Sequence, residues 1–387
     1  MRTLSHSEVL ERGEVLSRSL ADRAAAAEAL RRLPESTLED VRNADLFRML
    51  VPTSLGGHGL GIDSLAHCTR ILAHGCPASA WTISFLILHS WLLGKFPPKA
   101  RAEFFHAQKP YALVPAPLAP TGTATAVDGG LRVSGRWEWA TAIHHAEWAM
   151  VHAVQSEPEP TTLFVVVPIA EAHIEEVWFT SGMRATGSDT IRLENVFVPR
   201  HRALSAKSLL FGGDRLDGDA MAGLPVPPVL ALIAAAPALG AAEAAVDLFR
   251  QRMSERVLAY SMGDRQRDQP VAQARLGMAI SDLALVRDHW SHAVAELAGV
   301  AGTTSVPVEK RMSLRLTAAA TVRAARGVIT TVCDGSGASI YMSAAPLQRL
   351  QRDIEVLKGH VVFDWDRTAE LAGRVALGLP LRPTDMV

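Results

Sequence analysis

The residues best able to do chemistry in this chain of 387 residues fall into separate groups. Between Gly182 and Pro199, Thr186, Ser188 and Thr190 set hydroxyls beside Gly182 and Gly187, and an apolar alternation of Ile191, Leu193, Val196 and Val198 follows. Glycine backbone allows close approach to a flat ligand, and short hydroxyls both donate and accept hydrogen bonds. The stretch reads as a ligand-facing loop feeding a half-buried strand, with a bulge near Glu194 and Asn195. An ordinary β-turn has the same composition. A second group is the imidazoles of His89, inside the apolar run Trp81 to Gly94, and His360, near the end of the chain. Imidazole titrates near neutral pH and suits acid–base work, although a histidine on an apolar helix is ordinarily a core residue. His67, Cys68, His74 and Cys76 have the composition of metal ligands but fit no zinc spacing, and His289 with His292 has no third ligand. No metal site is expected.

The elements that must position these groups change type twice. Residues 3–33 carry apolar positions at helical spacing, and Ser36 with Glu39 forms a capping box that predicts a helix over Thr37 to Met49. Asp63 or Ser64 caps a third helix, and Ser79 caps a fourth that holds Trp81, Phe85, His89 and Trp91 until Pro97-Pro98 breaks it. From Tyr111 the period becomes two. Asp128-Gly129-Gly130 marks a hairpin, and strands continue over 148–154, 163–168 and 174–179. After about Ser205 helices resume over roughly 226–262, 269–300, 306–333 and 346–376, a pattern that predicts an up-and-down bundle. The expectation is an α+β chain with an N-terminal helical domain over 1–109, a middle β-barrel domain over 110–204 and a C-terminal four-helix bundle over 205–387.

Composition narrows the ligand. With 39 basic and 40 acidic residues and no long cationic run, a nucleic-acid surface is not expected. Three cysteines are too few for a disulfide framework, and a charged N-terminus does not read as a signal peptide, so a reducing cytoplasm is the expected compartment. The run Trp81 to Gly94 is too short for a membrane span, and Leu224 to Ala242 is interrupted by prolines, so no membrane partner is expected. Small molecules remain.

In order along the chain, four segments together resemble the acyl-CoA dehydrogenase superfamily of flavoproteins. They are Val51-Pro52 through Gly56-Gly57-His58-Gly59; Val133 to Trp148; Gly182 to Pro199; and Leu347 to Gly378 with Arg349, Arg352-Asp353 and Gly373-Arg374. The resemblance spans about residues 35–380. It implies that Trp139-Ala140-Thr141 lays an aromatic ring near an isoalloxazine and points a hydroxyl at its N5, with Ser188 touching the flavin or its ribityl chain. It also implies that Arg256 in the first bundle helix, Ser261 in the turn after it, and the Gly335-Ser336 loop hold cofactor phosphates, often across a subunit interface.

Fatty-acyl dehydrogenases of this superfamily carry a glutamate base shortly after the Arg-Asp of the last helix. Here that region offers only Glu355, close to Arg352-Asp353, and His360 follows Gly359. Histidines at the places of His89 and His360, with Trp81 as a pocket wall, are similar instead to the reduced-flavin-dependent two-component monooxygenases, the branch of p-hydroxyphenylacetate hydroxylases, dibenzothiophene monooxygenases and amino-sugar N-oxygenases.

That branch implies FMNH2 or FADH2 supplied by a separate NAD(P)H:flavin reductase, together with O2. It implies a C4a-hydroperoxyflavin in a dry pocket walled by Trp81, Phe85 and Trp139. Thr141 would guard N5, and His89 and His360 would flank a small organic substrate that is hydroxylated or oxygenated at nitrogen or sulfur. Where phenol hydroxylases use a serine this chain has Pro115-Ala116-Pro117, so a larger or more apolar aromatic or natural-product acceptor is expected. Assembly as a homotetramer or homodimer is implied by the same resemblance. The alternatives are an acyl-CoA dehydrogenase-type α,β-desaturase with tightly held FAD, and a scaffold that has lost catalysis.

Overall fold

Helices open the chain: α1 (His6–Leu30), α2 (Glu35–Asn43), α3 (Ile62–Gly75), α4 (Pro77–Leu93) and α5 (Pro98–Phe104). The computed structural model describes residues 2–385 except 158, 214, 304, 383 and 384. Ser5 caps α1 in a reciprocal box with Glu8. The box expected at Ser36 and Glu39 does not form, because α2 starts two residues earlier, after Pro34, whose carbonyl accepts from Thr37 and Leu38. That helix also stops at Asn43 instead of Met49, since Asp45 takes a left-handed φ of 58°. The side-chain caps expected at Asp63, Ser64 and Ser79 are likewise absent. Gly61 and Cys76 occupy the cap positions of α3 and α4 without side-chain bonds, and Pro77 begins α4. Proline fits there because its missing N–H has no helical partner in the first turn. Every residue of α4 except Phe85 is buried, so this helix is the interior axis of the N-terminal region.

The strands are β1 (Gly122–Val127), β2 (Gly130–Ala140), β3 (Trp148–Gln155), β4 (Thr161–Pro168), β5 (His173–Glu175), β6 (Asp189–Pro199) and β7 (Ala203–Ser205). They form one seven-stranded sheet in the order β5-β6-β2-β1-β3-β4-β7. All neighbours are antiparallel except the β1–β3 pair, which is parallel. Among the described residues the pairing leaves β5 and β7 as edges, so the sheet does not close into the expected barrel by hydrogen bonding. It wraps its own core of Val133, Trp137, Val151, Val165 and Ile191. The bulge expected near Glu194 and Asn195 is present, two residues facing Ser134 alone. A second bulge sits in β2, where Glu138 and Trp139 lie between the pairs Trp137–Ile191 and Ala140–Asp189, and Trp139 takes a φ of 63°.

Helices then return: α6 (Ala206–Phe211), α7 (Val226–Glu255), α8 (Pro270–Gly299), α9 (Val308–Ser336), α10 (Pro346–Leu357) and α11 (Trp365–Ala376). The last expected helix, 346–376, is therefore two. The chain breaks after Leu357, turns through Gly359 and His360, and restarts where the Asp364 side chain accepts from the N–H of Arg367. The first bundle helix also ends at Glu255, so Arg256 is in extended backbone beyond it. By length and composition α7 is the one described helix able to cross a membrane, but it lies almost wholly inside the protein. N-terminal and C-terminal helices share one continuous core, through Leu72, Ile87, Leu239 and Val328 among others, while the sheet keeps its own.

Candidate functional site

Three side chains spaced four residues apart line one face of α4. Trp81 and Phe85 have ring centroids 4.6 Å apart, and Phe85 and His89 5.3 Å. The i, i+4 spacing of a helix stacks them into a single wall. His360, held in the break between α10 and α11, meets the far end of that wall at 5.5 Å from Trp81. The two histidines expected from distant parts of the sequence thus belong to one aromatic cluster.

Their chemistry differs from that of exposed imidazoles. His89 is 4% exposed, and burial pulls its pKa down to about 4, so it is neutral near pH 7. Its Nδ1 lies 2.9 Å from the carbonyl of Val114. A carbonyl only accepts, so Nδ1 carries the proton and Nε2 is the free acceptor. The segment after Val114, Pro115-Ala116-Pro117, is buried and brings no hydroxyl. His360 keeps more of its residue surface open, yet the packing around its ring lowers its pKa too. Its Nδ1 accepts from the N–H of Val362 at 3.3 Å, which caps the turn following it.

Thr141 adjoins this wall. Trp81 Nε1 donates to Thr141 Oγ1 at 3.3 Å, and Thr141 Oγ1 lies 2.9 Å from Ser188 Oγ. Thr186, which the sequence reading treated only as one hydroxyl among several, extends the series, 2.7 Å from Ser188 and donating to the Met183 carbonyl at 2.9 Å. The loop carrying these residues is tied to α10: the fully buried Asp353 accepts from the N–H of Met183 at 2.6 Å. Gly182 faces the α10 backbone instead of a ligand, since a Cβ there would lie 2.1 Å from the Arg352 carbonyl oxygen. Gly187, at a φ of 49°, turns the loop into β6 beside His144, whose Nε2 lies 2.7 Å from Asp189. Asp353 was legible only as half of an Arg-Asp pair; its function as a clamp between loop and helix was not.

Trp139 departs from expectation. It is 65% exposed and has no ring contact with Trp81 or Phe85, so it is not part of the dry wall. The bulge in β2 turns it off the face on which Trp137 is buried, and its ring stands open two residues before Thr141.

The residues expected to hold phosphate form a second cluster. Arg256 donates to the Ser336 carbonyl at 2.8 Å and to Gln266 Oε1 at 3.3 Å, while Gln266 donates to the Gly335 carbonyl at 2.7 Å. Arg252, one turn earlier and missed from the sequence, donates to the same Ser336 carbonyl at 2.9 Å and to Ser339 at 2.6 Å. Both border a cleft of about 350 Å³ with Ser339, Pro346 and Leu347. Among the described residues neither guanidinium pairs with a carboxylate, and burial together with the neighbouring Arg256 charge lowers the pKa of Arg252, so the cleft suits an anion. Ser261 does not join this cluster. Its hydroxyl donates to the Leu258 carbonyl at 2.8 Å within a projecting turn. A larger cleft of about 660 Å³, between Thr53–Gly57 and α5, holds none of these residues.

The donor set fits a flavin: an exposed flat ring and a half-buried hydroxyl at one place, and paired arginines for phosphate at another. Glu355, the carboxylate nearest the dehydrogenase position, lies between Arg326 and Lys358, each at 2.5 Å.

Residues 232–365 match the family described as acyl-CoA dehydrogenase, C-terminal domain. The chain is 31% identical over 383 residues to a pigment production hydroxylase of Rhodococcus sp., covering 98% of each chain. It is also 31% identical over 367 residues to the HsaA oxygenase subunit of a flavin-dependent monooxygenase of Mycobacterium tuberculosis, covering 93% of each. Among solved structures, XiaF from Streptomyces sp., in complex with FADH2 and glycerol, superposes with a TM-score of 0.89 at 28% identity, over 98% of this chain and 97% of that one.

Proposed function

The chain belongs to the flavin-dependent monooxygenases built on the acyl-CoA dehydrogenase fold, as an oxygenase component, and from that premise we propose how its residues divide the work. Thr141 and Trp139, with Ser188 hydrogen-bonded to Thr141, would hold the ring of a reduced flavin, FMNH2 or FADH2, supplied by a separate NAD(P)H:flavin reductase. Once bound, the flavin supplies the oxygen chemistry, activation of O2 at C4a and transfer to an organic acceptor. The protein's residues do the rest.

Trp81 and Phe85 keep water from the reacting space. His89, neutral and with Nε2 unprotonated, accepts a proton or hydrogen bond from the substrate, and His360 faces it from the α10–α11 break. The apolar wall and the buried Pro115–Pro117 segment support an aromatic or natural-product acceptor larger than a simple phenol, consistent with a place in secondary metabolism. The neutral His89 in the same ring cluster as His360 carries this reading. An acyl-thioester desaturase would need a free carboxylate, and Asp353 and Glu355 are both engaged.

We place the flavin phosphate at Arg252 and Arg256. Pro346 and Leu347 at the first turn of α10 border that cleft, whereas His360 follows its last turn. Twelve helical residues span about 18 Å. This separation supports a cleft that serves the flavin of a partner protomer, in a homodimer or homotetramer. The buried, unpaired cysteines are consistent with a cytoplasmic enzyme.

The test is to mix the protein and reduced flavin with oxygenated buffer in a stopped-flow instrument. Oxidised-flavin absorbance is expected to return slowly. With substrate, His89→Ala and His360→Ala are each expected to divert oxygen to peroxide, lowering product by about 10²-fold. Immediate reoxidation in the wild type, or full coupling in both variants, would refute the assignment.

A further inference from the structure

Four hydrogen bonds run head to tail beside the proposed flavin site. They link Trp81 Nε1 to Thr141 at 3.3 Å, Thr141 to Ser188 at 2.9 Å, Ser188 to Thr186 at 2.7 Å, and Thr186 to the Met183 carbonyl at 2.9 Å. The two ends have fixed roles, because an indole N–H can only donate and a carbonyl can only accept. Each hydroxyl between them owns one proton. Thr186 must spend its proton on Met183, so Ser188 donates to Thr186, and Thr141 donates to Ser188. No other allocation makes all four bonds.

Thr141 therefore has its own proton turned inward, receives the N–H of Trp81 on one lone pair, and keeps the second lone pair free. Toward anything docked against it, the hydroxyl is an acceptor only. The polarity is hard to reverse. Ser188 and Thr186 are 3% and 2% exposed, which leaves no solvent path for a replacement partner. The anchoring carbonyl is also held by Trp178 Nε1 at 3.0 Å and by the N–H of Thr186 at 3.2 Å, while Asp353 holds the N–H of Met183.

We infer that Thr186 is a positioning residue that sets the direction of this chain, making Thr141 a detector of flavin redox state. Reduced flavin carries a proton on N5 and oxidised flavin does not. An acceptor-only Thr141 matches the N5–H of the reduced form and leaves the bare N5 of the oxidised form facing another acceptor, an unmade bond. The inference rests on the placement of the ring beside Thr141 proposed above, and adds how the site would tell arriving reductant from spent cofactor.

The experiment compares dissociation constants for oxidised and reduced FMN and FAD, the latter measured anaerobically by fluorescence, in the wild type, Thr186→Val, Thr186→Ser and Ser188→Ala. The wild type is expected to hold the reduced form more tightly. In Thr186→Val, Ser188 loses its acceptor and donates to Thr141, whose proton is released toward N5, so the preference for reduced flavin falls by roughly tenfold. Thr186→Ser restores it, a rescue that a packing role alone would not produce. Ser188→Ala removes the acceptor of Thr141 directly and is expected to give the same fall, so the answer does not depend on Thr186→Val folding. An unchanged preference in folded Thr186→Val or Ser188→Ala would overturn the inference and leave the flavin site standing. A wild type that binds neither redox form would overturn the site and the inference together.

Discussion

His89 can meet an organic substrate near pH 7 without bringing a charge into an apolar wall, because burial holds its pKa near 4 and the Val114 carbonyl decides which nitrogen keeps the proton. Asp353 is the opposite case. Burial, with Glu28 adding to it, raises its pKa to about 7 against the pull of the Met183 N–H and of Arg352 and Arg349. A raised carboxyl pKa means that the folded protein binds more protons than the unfolded chain between about pH 4 and 7. Its contribution to stability is therefore fully present below that window and is lost as pH rises through it. Asp353→Asn keeps an acceptor for Met183 without the charge. Its Tm relative to wild type is expected to climb as pH rises from about 4 to about 8, and a difference that stays flat across that range would refute this account. The His89 contribution has the reverse sign, present above about pH 6.5 and lost as pH falls toward 4. Both residues were visible in the sequence as residue types. Their charge states were not, since those follow from what packs around them.

At the scale of elements, local irregularities place the site. Period-two alternation in β2 correctly buries Trp137 but would put Trp139 on the same face. The second bulge defeats that reading, and a tryptophan at positive φ leaves no sequence signal from which to foresee it. An exposed Trp139 should matter little to the fold. Trp139→Ala is expected to change stability by no more than about 0.5 kcal/mol in urea titration, while flavin affinity drops by about tenfold. Unchanged flavin binding would mean that the ring has no part in the site. The break between α10 and α11 is a comparable case. Gly359 and the Asp364 cap are recognisable stop and start signals once the interruption is known, but the helical periodicity on either side hides them. The break brings His360 to Trp81, and a continuous helix would have turned it elsewhere.

Across the whole molecule, α8 exposes Val271, Met278 and Leu285, spaced seven residues apart on one helix face. An apolar seam at that spacing suits packing against a second copy. Tyr260 and Met262, both at positive φ, project from the turn after α7. Met278→Glu with Leu285→Arg is expected to sediment as a smaller species than the wild type. If Arg252 and Arg256 serve a partner's flavin, affinity for flavin falls with it. An unaltered sedimentation coefficient would exclude this face from the assembly.

The sequence by itself determined the succession of helical, strand and helical blocks, the Glu194–Asn195 bulge, the family, and the residue types of the site. All of these follow from periodicity and local motifs, which are properties of neighbours along the chain. Tertiary structure alone decided that His89 and His360 share one cluster, that Trp139 lies outside it, and that Arg256 joins Ser336 and Gln266 while Thr141 joins Trp81 and Ser188. Each depends on contacts between residues tens to hundreds of positions apart, where burial and partner geometry, not local preference, set the outcome.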